Sequence, residues 1–292
     1  MRRVLAMVLV PALAGAQPAA DHYKAGRAAM AASNAELATR AFEKAVALDD
    51  RNADYHMWLG RSVGSQAIVA NRLQQPFLAR RARSEFERAV QLDPANIGGH
   101  EGLMQFYLNA PGVIGGSLEK ARQQAADVGK ASRLRGRLAQ AAIANHEKDF
   151  ATAEREFRAA VSTEPDSSVA NVGLANFLQA SGRGDEAFVV LDRALARRPG
   201  DPGLLFGVGR LSAASGRQLD RGEHALRQVL ALSTADSAGY GLPAPSVIHF
   251  RLGELLVKRG LKSQAKKEFE TALDLNPRMD AARKALQALS LL

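Results

Sequence analysis

Four of the six histidines recur at one place in the chain's own rhythm. His22, His56, His100 and His249 each fall four residues before a small residue or its equivalent: Gly26, Gly60, Met104 and Gly253. Imidazole is the commonest metal ligand, so the recurrence invites a metal-site reading. The period argues against it, because it sends each copy to a different structural unit and gathers no ligand set. There is no cysteine, which excludes disulfides, thiolate metal sites and thiol nucleophiles. The stretch Pro111-Gly-Val-Ile-Gly-Gly-Ser117 leads into a helix expected from Leu118. Its backbone amides and the helix N-terminus suit an anion, while Ser117 equally suits a plain N-cap. It lacks the Gly-Lys-Ser/Thr of a nucleotide P-loop. No paired carboxylates and no nucleophile–base arrangement stand out. The residues point to no catalytic group, no metal and no cofactor, and so away from an enzyme.

The elements that carry these residues are announced by a repeated phrase. Ala82-x3-Phe86-x2-Ala89-x4-Pro94 returns at Ala153, Phe157, Ala160 and Pro165. It returns again at Ala187, Leu191, Ala194 and Pro199, and at Ala265, Phe269, Ala272 and Pro277. Twelve positions before each leading alanine of the last three stands Ala141, Ala175 or Gly253. The phrase resembles that of the tetratricopeptide repeat family, which implies that each unit is two helices, A and B. A small residue on A lets B approach closely, and the alanine on B does the same from the other side. A larger side chain at Ala153 or Ala265 would overpack that crossing by about 1–3 kcal/mol. Phe86, Phe157 and Phe269 fill the space between units, and the proline ends helix B.

Seven units fit the chain, with the first, third and sixth weaker. Asp50 stands in place of the proline in unit one, and Gly209 and Gly222 mark a degraded unit six. Residues 17–232 take units one to six, 246–279 take unit seven, and 233–245 read as a Ser/Gly/Pro loop. Residues 280–292 read as a capping helix with Ala281, Ala285, Leu286 and Leu289 on one face.

Two units depart from the rhythm. Gly60 and Ala82 are separated by 22 positions where the regular units have 12. Helix A of unit two is expected to run on by two turns, and its helix B to start early at Pro76, because proline is tolerated in a first turn. Extended A–B connections are thus expected at 64–81 and at 109–117. Both lie on one edge of adjacent units and should meet as one surface, and insertions on one face of a repeat often mark binding.

The N-terminus carries a second message. Met1-Arg2-Arg3 precedes an apolar run from Val4 to Leu13, and Ala14-Gly15-Ala16 supplies a small-x-small pattern. This reads as a signal peptide over 1–16 with Gln17 as the mature start. The expectation is a periplasmic or secreted protein with no transmembrane segment after cleavage. Formal charge is +9, or +7 without Arg2 and Arg3, which favours acidic partners. Nucleic acid is not expected for an exported chain.

The repeated phrase, with its period of about 34, resembles the tetratricopeptide repeat family over residues 19 to 279. Tyr55-His-Met-Trp-Leu-Gly-Arg61 and Ala110-Pro-Gly-Val-Ile-Gly-Gly-Ser117 look like a subgroup of exported bacterial members. The resemblance implies an all-α fold: a right-handed α-solenoid of about seven helix pairs plus a C-terminal capping helix. It also implies that A helices line a concave face, where partner peptides are often held. By repeat position that face carries Arg27, Met57, Arg61, Gln105, Asn176, Phe206, Arg210 and Phe250. It lacks the Lys and Asn pair that members use to clamp a C-terminal carboxylate, which disfavours chaperone-tail binding. The resemblance thus implies a scaffold or adaptor binding a protein or peptide in the groove or on the elaborated edge. That edge holds Arg72, Arg80, Arg81, Gly115, Gly116 and Ser117. The alternative is an envelope polyanion, an anionic glycan or lipid surface, met by arginine-rich faces.

Overall fold

A computed structural model describes residues 16–233 and 243–290, and these are all-helical. The signal-peptide expectation and the middle of the 233–245 loop lie outside the described residues. Unit one is α1 (Ala16–Ala31) and α2 (Ala35–Leu48); unit two is α3 (Ala53–Val69) and α4 (Gln75–Leu92). Unit three is α5 (Ile97–Asn109) and α6 (Leu118–Ala131), joined through a 3-10 turn at Gly112–Ile114. Units four and five are α7 (Arg133–His146) with α8 (Phe150–Thr163), and α9 (Ser168–Ala180) with α10 (Gly184–Arg197). Units six and seven are α11 (Pro202–Ser215) with α12 (Leu219–Leu232), and α13 (Pro245–Lys258) with α14 (Lys262–Leu275). The last helix is α15 (Asp280–Ser290). The described residues fold as an α-solenoid of seven helix pairs and a cap, as the repeat phrase requires.

Local chemistry sets the boundaries. Asn34, Asn52, Asn96, Ser117, Ser132, Asp149, Ser167 and Asp201 each accept a backbone N–H at a helix start. Pro76, Pro202 and Pro245 occupy first turns, where a missing N–H is harmless. Pro94, Pro165, Pro199 and Pro277 each stand one residue beyond a C-cap.

Packing follows the same letters. Ala38, Ala82, Ala121, Ala153, Ala187 and Ala265 are buried. A Cβ on Gly26 would lie 2.5 Å from the Phe42 ring, and one on Gly253 would lie 2.4 Å from Phe269. Unit six is the pattern in a closer form. A Cβ on Gly209 would meet Leu226 at 2.3 Å, and one on Gly222 would meet Ser212 at 2.3 Å. Each A helix touches the A helix of the next unit, so the A helices form the inner layer.

Three expectations change. The 64–81 segment is mostly helix: α3 ends nine positions after Gly60 where α9 ends five after Ala175. The insertion is thus shared, about one turn on each helix, leaving a short connection at 70–74. Arg133-Leu-Arg-Gly-Arg137, a second basic cluster that from the sequence reads as a turn between units, instead begins α7, because Ser132 closes α6 and caps α7 by itself. On α15 the buried alanine is Ala282, whereas Ala281 is exposed; Ala285, Leu286 and Leu289 pack on Phe269 and Leu256 as the periodicity requires.

The two ends of the stack meet. Arg278, in the turn after α14, ion-pairs with Glu36 in the first turn of α2. That guanidinium holds the Glu36 carboxyl below the usual carboxylate range. Both groups are exposed, so the pair marks how far the superhelix closes more than it stabilises it.

Candidate functional site

Three of the recurring histidines, His56, His100 and His249, make bonds that hold their units together. His56 on α3 bonds Glu85 Oε2 at 2.7 Å through Nδ1 and the Asp50 carbonyl at 3.0 Å through Nε2. His100 on α5 bonds Gln124 Oε1 at 2.7 Å and the Pro94 carbonyl at 3.0 Å. In unit five Asn171 takes the same place, its Nδ2 donating to the Pro165 carbonyl at 2.9 Å. One repeat position therefore ties helix A to the turn six residues before it. The His249 ring bonds Glu268 at 2.6 Å. No group of three metal-ligating side chains occurs among the described residues.

Both partners of His56 are acceptors, so the site favours the imidazolium, whose two ring nitrogens both donate. Burial opposes that charge, but the hydrogen bonds to Glu85 and Asp50 prevail and the His56 pKa rises above its ordinary value. Arg88 works weakly against it. A raised folded pKa means the stabilisation is fully present below about pH 6.5 and is lost as pH rises through the folded pKa. Wild-type protein is expected to lose melting temperature relative to Glu85→Gln between pH 6 and 8, in thermal scans at matched ionic strength. An unchanged difference would refute the pairing.

The main concavity is a groove of about 1030 Å³ across units two to five. Its floor comes from the A helices, with Arg61 on α3, Glu101 and Gln105 on α5 and Arg135 on α7. One wall is built by the two insertions together: Ala67, Ile68 and Pro76 from unit two, Ala110, Val113 and Ile114 from unit three. The surface there is apolar and open. Ile68 is 79% exposed and Val113 89%. The sequence placed the two insertions side by side, and they do line one groove.

The polar residues on the floor form a short chain of charge. Glu101 lies 3.6 Å from Arg61 and 3.2 Å from Arg135. The Arg27 guanidinium sits 4.1 Å from the centre of the Trp58 indole, and that of Arg61 5.1 Å from it. Burial first, then Arg135 and Arg27, lower the Arg61 pKa against the pull of Glu101 and Asp54.

The other residues singled out by repeat position divide. Gln105 is exposed on the groove floor, its Oε1 accepting from Asn109 Nδ2 at 3.2 Å. Asn176 is exposed in a second cleft of about 680 Å³ with Phe150, Phe157 and Arg183. Arg210 is half-buried on α11, and Phe206 and Phe250 are partly buried against the core of units six and seven. Met57 is buried between units two and three, its side chain lying where a Cβ on Gly98 would be at 2.9 Å. It presents no open surface, because a glycine opposite lets it sink between the units.

The Gly-rich edge also differs in detail. The amides of Ile114 and Gly116 donate to the Pro111 carbonyl, that of Gly115 to Gly112, and that of Ser117 to Tyr107 at 2.9 Å. Ser117 is the N-cap of α6, accepting from Lys120. The loop amides thus serve the loop, and no cradle for an anion is left at 114–117. Arg81 turns away to an ion pair with Glu43, while Arg72 and Arg80 are exposed. The arginine that reaches the loop is Arg83, whose Nη1 would lie 2.9 Å from a Cβ on Gly115. It stacks on Phe106 at 5.5 Å. Its Nε is 3.3 Å from Glu87 but is buried without a hydrogen bond. Arg135 and Arg137 of the second cluster are likewise paired, the latter with Glu156 at 2.7 Å. The arginine-rich faces therefore carry less free charge than the composition implies.

Comparison with known proteins agrees with this geometry. Tetratricopeptide repeat models match residues 23–63, 145–205 and 247–279. A tetratricopeptide repeat protein from Parabacteroides merdae is 15% identical, with a TM-score of 0.53 over 94% of this chain and 99% of that one. Yeast Tom70 is 14% identical, with a TM-score of 0.62 over 98% of this chain and 59% of that one. At such identities the likeness is one of fold. No curated protein sequence matches the chain.

Proposed function

This chain is a tetratricopeptide repeat protein, and we propose that it is a non-enzymatic scaffold that holds a segment of another protein. The observation that carries the reading is the apolar groove of about 1030 Å³ with its exposed wall at Ile68 and Val113. Exposed apolar side chains gathered along a concave surface suit burial against a partner helix or extended peptide. The floor adds polar groups at Arg61, Glu101, Gln105 and Arg135, which would fix the orientation of that segment. The basic n-region, apolar run and small-x-small pattern of residues 1–16 support export, so the partner is sought in the cell envelope or outside.

The test is photocrosslinking from a photoreactive residue replacing Ile68, Val113 or, on the outer face, Lys266. The first two positions are expected to yield the same discrete adduct and the third none. Ile68→Asp with Val113→Asp is expected to abolish capture without changing the helical content. An adduct formed equally from Lys266, or one insensitive to both aspartates, would sink the groove reading.

A further inference from the structure

The inner faces of units six and seven hold cationic groups that the protein does not itself satisfy. Arg210, on α11, is half-buried, and among the described residues it makes no ion pair and no hydrogen bond. Burial first, then the nearby charge of Arg251, hold its pKa below the usual guanidinium value. Arg251, on α13, donates from Nη1 to Glu254 at 2.6 Å, and its guanidinium lies 5.3 Å from the centre of the Phe250 ring. Its Nε is buried and has no acceptor. One carboxylate therefore serves Arg251, and none serves Arg210.

The repeat register shows what is unusual here. Arg210 follows Gly209 by one position, as Arg27 follows Gly26, and Arg251 precedes Gly253 by two, as Trp58 precedes Gly60. In units one and two this pair of positions is a stacked contact, guanidinium over indole at 4.1 Å. In units six and seven the ring is replaced by a second guanidinium. Two like charges at such a contact destabilise each other, and a buried N–H without an acceptor adds a penalty. Phe206 lies one turn before Arg210 on the same helix, and Phe250 adjoins Arg251, so both cations are walled by partly buried rings. An oxyanion supplies both things this place lacks.

We propose that Arg210 and Arg251 receive the carboxylate of an acidic side chain on the partner segment, between Phe206 and Phe250. The inference rests on the inner face being the partner surface, and it names the chemistry of that partner. Charge-assisted hydrogen bonds from two guanidiniums discriminate strongly between a carboxylate and its neutral isostere.

The test compares two fluorescein-labelled peptides of equal length, one alternating Leu and Glu, the other Leu and Gln, by anisotropy with the full chain. The Glu peptide is expected to bind at least about tenfold tighter. Arg210→Gln and Arg251→Gln are each expected to erase that preference without lowering the melting temperature. Glu254→Gln removes the competing internal carboxylate and is expected to tighten the Glu peptide, a gain that misfolding would not produce. Equal affinity of the two peptides would overturn the proposal while leaving the groove reading to its crosslinks. So would a preference lost in Arg61→Gln with Arg135→Gln but kept in the Arg210 and Arg251 variants. Displacement of the Glu peptide by inorganic phosphate at comparable concentration would assign the site to a free oxyanion and also overturn it.

Discussion

Replacing Phe86 with alanine is expected to remove about 3–5 kcal/mol of stability, the cost of a buried aromatic lost to a cavity that cannot collapse. Phe86 is 6% exposed and lies between two units. A Cβ on Gly60, in its own unit, would be 2.8 Å from the ring, and one on Gly102, in the next, 2.5 Å. Both neighbours are glycines on helices, so neither has a side chain that can move into the space. In a solenoid each unit is stabilised by its neighbours alone. The loss therefore falls on the junction between units two and three, where the candidate groove begins. Urea denaturation followed by circular dichroism is expected to show a lower midpoint and a smaller m-value, as units one and two uncouple from the rest. A loss below about 1 kcal/mol would mean that the ring does not couple the units.

The architecture was legible because its determinants repeat. Small residues at fixed spacing on A and B, an aromatic between units and a proline after each C-cap have one local geometry that satisfies all of them. Gly26 against Phe42 and Gly253 against Phe269 are that geometry realised. What could not be read depends on which neighbour faces a residue across a unit junction. Met57 is buried because Gly98 faces it, and Arg81 leaves the edge because Glu43 draws it to α2. Gly136 was read as part of a basic turn, yet a Cβ there would lie 2.5 Å from Gly129 Cα, so α6 and α7 cross backbone to backbone. The pair Gly129 and Gly136, seven residues apart across a one-residue turn, was the available signal. The candidate site was legible in part for the same reason. Repeat position found Arg61 and Gln105 on the groove floor and set the two insertions on one edge, but only the fold shows that this edge is the groove's wall.

Replacing Gly116 with alanine is expected to dismantle that wall and leave the solenoid standing. A Cβ on Gly116 would lie 1.7 Å from the Ala110 carbonyl oxygen. The obstacle is backbone, so no rotamer change relieves it and the loop itself must move. The loop is held by bonds that depend on its path: Ser117 N–H to the Tyr107 carbonyl at 2.9 Å, Gly116 N–H to Pro111 at 3.1 Å, and Ile114 N–H to Pro111 at 3.0 Å. A displaced Gly116 breaks these together, an effect of about 3 kcal/mol or more confined to the loop. Hydrogen exchange is expected to show lost protection at the amides of Ile114, Gly116 and Ser117, with α13 and α14 unchanged, because solenoid units answer only to their neighbours. Retained protection at those amides would show that the loop has another low-energy path. Val113 travels with the loop whereas Ile68 is anchored on α3, so the variant also separates the two sides of the wall. Crosslinking from Ile68 that survives while that from Val113 disappears would place the partner's main contact on the unit-two side of the groove.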